Sequence, residues 1–300
     1  MTATSFKSGF VAIIGRPNVG KSTLLNTLLG EKVAITAPKP QTTRNRILGI
    51  RNTEDGQFVF LDTPGIHRAA TPLNLFMVKS ALGTFGDADV LLFLVEADRG
   101  IHEEDSLILE SLKTVKIPVL LVINKIDLVK KEALLPLIDT WKDLYAFEEI
   151  IPLSARKGLG MERLMEILRK LLPEGPKLFP DDMITDRSER FIAAEIIREK
   201  ILLLTRQEIP YATAVVVEAF KEEKERNFIR IQASIIVEKD SQKGIVIGRK
   251  GAMLKEIGQQ ARKELERFFS ARIYLELFVK VRKDWTHDER LLRELGYSDG

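Results

Sequence analysis

Gly15, Arg16, Pro17, Asn18, Val19, Gly20, Lys21 and Ser22 directly follow the apolar run Phe10-Val11-Ala12-Ile13-Ile14. The order G-x-x-x-x-G-K-S between a strand and a helix is the pattern of a phosphate-binding loop. A phosphate chain needs many donors at short range. Gly15 and Gly20 let the main chain approach with no side chain in the way. The helix that opens with Ser22 and Thr23 and is closed by Gly30 adds partial positive charge at its N-terminus. Lys21 has the reach to meet the β- and γ-phosphates, and the Ser22 hydroxyl suits a Mg²⁺ ion.

Three later segments end apolar runs of their own and identify the nucleotide. Asp62-Thr63-Pro64-Gly65 closes Phe58–Leu61. Asp62 there can hold Mg²⁺ opposite Ser22, directly or through a water, and Gly65 can turn its N–H toward a γ-phosphate. Asn124-Lys125-Ile126-Asp127 closes Val119–Ile123. A carboxylate accepts the paired N1–H and 2-amino donors of guanine, whereas adenine would leave Asp127 desolvated and unpaired. Asn124 can bond the base edge and pin the loop, and the Lys125 stem can cover the base plane. Ser154-Ala155-Arg156 comes last, after Ile150–Leu153, and sets the Ala155 N–H toward guanine O6. These motifs in this order look like a translation-factor-class GTPase, with Mg²⁺ as cofactor and phosphoryl transfer to water as the reaction.

Ile66 follows Gly65, at the place where Ras-like GTPases carry a water-orienting glutamine. Isoleucine has no polar atom for that task. In related GTPases an Asn at the place of Asn18 helps bind a potassium ion between the phosphates, which implies K⁺ as a candidate substitute for an arginine finger. A Thr hydroxyl within Gln41-Thr42-Thr43-Arg44 is expected to complete the Mg²⁺ shell. Similarity to the Thr-Thr-Arg class favours Thr43, with Thr42 as the alternative. The catalytic set is therefore Lys21, Thr43, Gly65 and Asn18. Ala37–Pro40 has no apolar periodicity and reads as a switch loop ordered by γ-phosphate and metal.

Composition bounds the rest. The chain has 300 residues, 45% hydrophobic and 30% charged, which suits a globular protein of one large or two medium domains. With no cysteine, disulfides, zinc ribbons and thiol chemistry are excluded. His67, His102 and His287 are too scattered for a metal cluster and are expected to be exposed polar residues. The N-terminus has no signal-peptide core and no run is long enough to span a bilayer, so a cytoplasmic, soluble protein is expected. Lys+Arg exceed Asp+Glu by 23 to 21 in residues 1–180 and by 23 to 22 in 181–300, so any nucleic-acid site has to be local.

Strand and helix patterns alternate to about Leu172, an α/β doubly wound signature with a mostly parallel sheet. Three prolines and a glycine within 173–182 mark a linker. The expected division is 1–175, a linker over 176–186, and a second domain over 187–300. The second domain reads as a helix from about Ser188 to Leu204, a hairpin of Ala212–Phe220 and Phe228–Val237, a helix over Ala252–Phe269 and a strand over Arg272–Val281. Between them stands Gly248-Arg249-Lys250-Gly251. A G-x-x-G loop in this helix–hairpin–helix–loop–helix–strand order resembles a type II KH module, which clamps single-stranded RNA. Eight basic residues oppose three acids from Lys243 to Arg272, a net of +5. Gly248, Arg249, Lys250 and Gly251 are expected to form the backbone clamp, Lys243 is expected to add a basic RNA contact, and Ile245, Ile247, Leu254 and Ile257 are expected to line a groove for bases. Phe268 and Phe269 are read as core.

The pairing of these two modules, with Asn18 in the loop and Thr42-Thr43-Arg44 in the switch, resembles the bacterial Era family over nearly the whole chain, Gly9 to about Arg290. The resemblance implies a monomeric ribosome-assembly GTPase. It implies that the KH module binds the 3′ end of 16S rRNA and that the protein acts on the maturing small ribosomal subunit. It also implies peripheral association with the cytoplasmic face of the inner membrane. The alternative reading is a membrane-associated signalling GTPase linked to cell-cycle control.

Overall fold

The computed structural model describes residues 6–206 and 209–297. Contacts divide the chain into two units. The first takes in the chain up to Ala34, Thr43–Ala69 and Met77–Asp186; the second takes in Ile35–Thr42, Ala70–Phe76 and the chain from Arg187 onward. Among the described residues no helix is long and apolar enough to cross a membrane.

The first unit is built on a six-stranded sheet of β1 (Lys7–Gly15), β2 (Ile47–Thr53), β3 (Gly56–Asp62), β4 (Val90–Glu96), β5 (Val119–Asn124) and β6 (Glu149–Pro152), in the order β2-β3-β1-β4-β5-β6. β2 and β3 form an antiparallel hairpin, and every other pair is parallel. All residues of β3, β4 and β5 are buried. Such continuous burial follows from parallel pairing, because crossover helices cover both faces. The helices are α1 (Lys21–Leu29), the part of α2 (Pro72–Gly83) from Met77 onward, α3 (Glu103–Leu112), α4 (Leu134–Lys142) and α5 (Met161–Leu171). Trp141 of α4 is buried in this core, edge-on to Phe93 of β4 at 5.7 Å between ring centroids. The chain leaves β1 toward β3 and later returns to β4 on the other side. Open α/β sheets bind ligands at the strand C-termini beside that reversal.

The proline-rich segment read as a linker packs along this unit. Gln57 is fully buried; its Oε1 accepts from Leu178 N (2.7 Å) and Phe179 N (2.9 Å), and its Nε2 donates to Phe179 O (2.8 Å). Ile50 N donates to Ile184 O at 2.8 Å, and Phe179 meets Phe10 edge-on. One side-chain amide thus satisfies main-chain groups that lack a regular ladder.

The second unit runs α6 (Glu189–Leu204), β7 (Ala214–Glu223), β8 (Phe228–Val237), α7 (Asp240–Ile247), α8 (Ala252–Phe269), β9 (Arg272–Val281) and α9 (Glu289–Glu294). β8 is central, antiparallel to β7 and parallel to β9. β7 continues past the expected end at Phe220, because Glu222 and Glu223 pair with Ile229 and Phe228. Charged residues suit this edge strand, where they discourage further pairing. Ile196, Ile197 and Ile201 of α6 meet Ile231, Ala233 and Ile235 of β8 and Ile257, Ala261 and Leu265 of α8 in one core. Phe268 and Phe269 pack against it. Trp285 is fully buried and donates from Nε1 to Ala212 O at 3.0 Å.

Replacing Gln57 with Leu leaves two N–H groups and a carbonyl of the 178–179 segment without partners. Each unsatisfied buried group costs about 1–3 kcal/mol. Urea unfolding followed by fluorescence is expected to show a loss of that order, and an unchanged midpoint would refute the role given to Gln57.

Candidate functional site

The C-terminal ends of four adjacent strands carry Gly15 (β1), Asp62 (β3), Glu96 (β4) and Asn124 (β5). Around them lie the loops that the sequence singles out. α1 begins after Gly20 with no side-chain cap and no acid in its first turn, so its partial positive charge is not neutralised locally. Gly20 has φ 102°, and a Cβ there would sit 2.3 Å from Asn124 Nδ2. Only glycine fits where the phosphate loop meets that side chain.

Asn124 joins three loops. Its Nδ2 donates to Val19 O (2.8 Å), while its Oδ1 accepts from Lys125 N (2.8 Å) and Ala155 N (3.0 Å). The Ala155 N–H, expected on guanine O6, is thus turned onto Asn124 here. Asp127 is exposed and accepts from Ser154 Oγ at 2.5 Å, which fixes one carboxylate oxygen and leaves an outward edge. Lys125 Nζ donates to Asn18 O (2.9 Å) and pairs with Glu96. Asn18 is exposed in a left-handed turn at φ 66°, and Arg156 is exposed beside Ala155. Arg16 is buried and pairs with Asp105, away from solvent. Thr63 Oγ1 donates to Ile13 O at 2.7 Å, so this hydroxyl braces β1. Thr23 is half-buried in the first turn of α1, and Pro64 is buried. Pro17 backs Gly65 so closely that a Cβ there would fall 2.6 Å from Pro17 N. Ile66 is buried in the sheet core, with its N donating to Gly15 O at 3.1 Å.

The expected metal ligands come together. Ser22 Oγ donates to Asp62 Oδ2 at 2.7 Å and lies 2.7 Å from Thr43 Oγ1, which is 3.5 Å from the same carboxylate oxygen. Thr42 Oγ1 turns away to Lys39 O at 2.7 Å. Asp62 is fully buried and its Oδ1 has no hydrogen-bond partner. A cluster of hard oxygens with one orphaned carboxylate oxygen fits Mg²⁺.

Burial pushes the Asp62 carboxyl up to about 6 from its ordinary 3.8, against the opposing hydrogen bond from Ser22 and the charge of Lys21. Burial also pulls Lys21 down to about 8 from 10.5. Lys21 Nζ meanwhile donates to Gly15 O (3.0 Å) and Arg16 O (2.7 Å). The folded state therefore holds the Asp62 proton more tightly than the unfolded chain, so this contribution to stability falls as pH rises from 3.8 to about 6. Lys21 is the reverse: the unfolded chain holds its proton more tightly, and its contribution rises with pH from about 8 to 10.5. At neutral pH both charges are held at a cost.

The sequence reading missed two neighbours. Glu96, at the end of β4, is buried; its only sequence signal is an acid closing an apolar run. His67, expected to be exposed, is half-buried, with Nδ1 2.8 Å from Gly65 O and Nε2 buried.

In the second unit, Gly248–Gly251 joins α7 to α8. Gly248 has φ 72°, and a Cβ there would sit 2.7 Å from Met253 Cβ. Lys250 (φ 52°) and Gly251 (φ 78°) are also left-handed, and Arg249 and Lys250 are exposed at the turn. Beside it lies a groove of about 470 Å³ lined by Gly251, Leu254, Lys255, Gly258, Gln259, Arg262, Leu275 and Leu277. Ile257 does not line it. It is fully buried with Ala261 and Leu265. The helical period gives the reason: Ile257, Ala261 and Leu265 make the inward stripe, while Leu254, Gly258 and Arg262 make the groove stripe. Ile245 is exposed, and Ile247 and Lys243 are half-buried; all three lie outside the groove lining.

Asp62→Asn removes the buried charge while keeping an acceptor for Ser22. Its ligand-free melting temperature at pH 7.5 is expected to rise by roughly 2–6 °C. Mg²⁺ is then expected to give no tightening of nucleotide binding. A lower melting temperature, or Mg²⁺ dependence like that of the wild type, would contradict this account.

Residues 10–125 match the family described as 50S ribosome-binding GTPase, and 208–286 match the KH domain. GTPase Era of Syntrophus aciditrophicus (strain SB) is 64% identical over 98% of this chain and 96% of its own length. GTPase Era of Geobacter metallireducens is 57% identical over 99% of this chain and all of its own. Two solved structures superpose with a TM-score of 0.95 at 45% identity, over 98% of this chain and 100% of theirs. One is Era in complex with MgGDPNP and nucleotides 1506–1542 of 16S ribosomal RNA; the other is an Aquifex aeolicus Era variant bound to GDP·AlF4⁻. With relatives this similar over nearly their full length, a phosphate loop joined to a KH fold, and a buried oxygen cluster beside Lys21, this chain belongs to the Era family of GTPases.

Proposed function

We propose that this GTPase binds the single-stranded 3′ end of 16S rRNA through its Gly248–Gly251 loop, under control of its nucleotide, and serves small-subunit maturation in the cytoplasm. The observation that carries the reading is the exposed Arg249-Lys250 turn. The turn ends at Gly251, which lines a groove together with Lys255 and Arg262. Cations at such a turn meet phosphates, and apolar walls such as Leu254, Leu275 and Leu277 accept bases.

In the nucleotide site, Lys21 exchanges the carbonyls of Gly15 and Arg16 for phosphate oxygens. Ser22, Thr43 and Asp62 would hold Mg²⁺, which when bound neutralises charge developing on the phosphates. Asn124 keeps the phosphate loop in register with the base loop, and Asp127 reads guanine. Ile66 has no polar atom to orient the attacking water. The exposed Asn18 side chain, on a loop whose carbonyl is held by Lys125, would help hold a K⁺ ion, which when bound would supply positive charge as the substitute.

Contacts inside the second unit support nucleotide control. The segment Ile35–Thr42 is held there by Thr36 N donating to Glu199 at 2.9 Å, by Arg198 on the Thr42 carbonyl, and by Lys39 on the carbonyls of Leu202 and Thr205 at the end of α6. The next residue, Thr43, stands beside Ser22. A pull on Thr43 by γ-phosphate and metal is therefore a pull on this segment.

Labelled RNA of the 16S 3′-end sequence is the test, titrated with GTP analogue, with GDP and with no nucleotide. Tight binding is expected with the analogue and loss of binding in Gly248→Asp/Gly251→Asp. Lys250→Ala is expected to weaken all sequences alike and to lower the salt slope by about one. Equal affinity in the three nucleotide states would end the switch reading, and no binding in any state would end the RNA reading.

A further inference from the structure

Four charged groups form a closed cluster beneath the nucleotide loops of the first unit. Arg16, from the phosphate loop, donates from Nε to Asp105 Oδ1 at 2.7 Å, and its terminal nitrogen lies 3.4 Å from Glu96 Oε2. The other Glu96 oxygen pairs with Lys125, from the base-reading loop. Arg16, Glu96 and Asp105 have side chains 6%, 4% and 0% exposed, and that of Lys125 is 29% exposed. Two acids and two bases balance, and each acid touches more than one group. The second Asp105 oxygen accepts from His102 N at 2.9 Å, at the start of α3.

We infer that Glu96, supported by Asp105, is a positioning residue for the guanine nucleotide. Its carboxylate bridges Arg16 and Lys125 and so locks the phosphate loop to the base-reading loop. The geometry reaches the ligand from both ends. The anchored Arg16 fixes the main chain at the start of the phosphate loop, where its carbonyl accepts from Lys21 Nζ at 2.7 Å until a phosphate takes that place. The anchored Lys125 holds the carbonyl of Asn18 at 2.9 Å and carries the stem expected over the base. Lys125 itself sits in a left-handed conformation at φ 65°, uncommon for a side-chain-bearing residue. A bridging acid that fixes both ammonium and guanidinium keeps this turn from relaxing. Glu96 lies at a strand end outside the four sequence motifs, in register with Asn124 on the flanking strand β5.

A lock between the two loops acts on groups common to GTP and GDP, the base and the inner phosphates. Removing it should therefore weaken both nucleotides alike and leave the γ-phosphate chemistry unchanged once the site is full. The assignment rests on guanine-nucleotide binding at this site, which the wild-type titration in the same assay checks separately.

The experiment measures dissociation of a fluorescent GDP from the full chain, with steady-state hydrolysis of GTP alongside. Glu96→Gln is expected to speed dissociation on the order of 10-fold or more and to raise KM by a similar factor, with kcat held within about two-fold. Lys125→Met should act through the same contact, so the double variant should fall well short of the product of the two single effects. Unchanged dissociation in Glu96→Gln, a loss confined to kcat, or fully multiplicative effects would overturn the assignment. If Glu96→Gln does not fold, Arg16→Gln/Glu96→Gln removes one charge of each sign and carries the same test. Wild-type-like dissociation in that pair would overturn the assignment equally.

Discussion

Two opposite charges, Lys21 and Asp62, are held out of water at the edge of an apolar sheet, and the protein leaves both short of partners. Lys21 rests on two carbonyls, and one Asp62 oxygen has none. Isolated buried charge is expensive, so the architecture that holds it must be stiff. The fully buried strands β3, β4 and β5 supply that stiffness, and the loops at their ends inherit it. A Mg²⁺-nucleotide carries both signs of charge and would answer both deficits at once.

Asn124 and Glu96 show how the loops are kept in register. Neither needs to touch a phosphate to matter. Asn124 joins the phosphate loop, the base-reading loop and the Ala155 turn through one amide. Glu96 joins the first two through charge. Both occupy the last position of a parallel strand, where backbone direction aims side chains at the ligand crevice. The second unit solves a different problem, a groove that must stay open. α8 does so by giving its inward stripe to Ile257, Ala261 and Leu265 and its outward stripe to Leu254, Gly258 and Arg262.

Much of this was legible from residue order. The motifs ending in Ser22, Gly65 and Asp127 each close an apolar run, and their residue types in that order have few other readings. The helix over Ala252–Phe269 and the strand over Arg272–Val281 stand where periodicity puts them. Ile257 was misread because apolar character alone does not say which face of a helix a residue takes; its spacing from Ala261 and Leu265 does. Glu96 was invisible because its meaning depends on Arg16 and Lys125, which lie 80 and 29 residues away. The packing of 176–186 was hidden for a similar reason: Gln57 satisfies that main chain from a distant strand.

Proton exchange on binding measures the uncompensated charges most directly. Titration calorimetry with preformed Mg·GTP in buffers of different ionisation enthalpy gives the number of protons released or taken up, after correction for the nucleotide itself. At pH 6 the chain is expected to release about half a proton as Asp62 ionises; at pH 8 it should take up about half a proton as Lys21 becomes fully charged. Opposite signs at the two pH values would support the account. No proton exchange at either pH would contradict it.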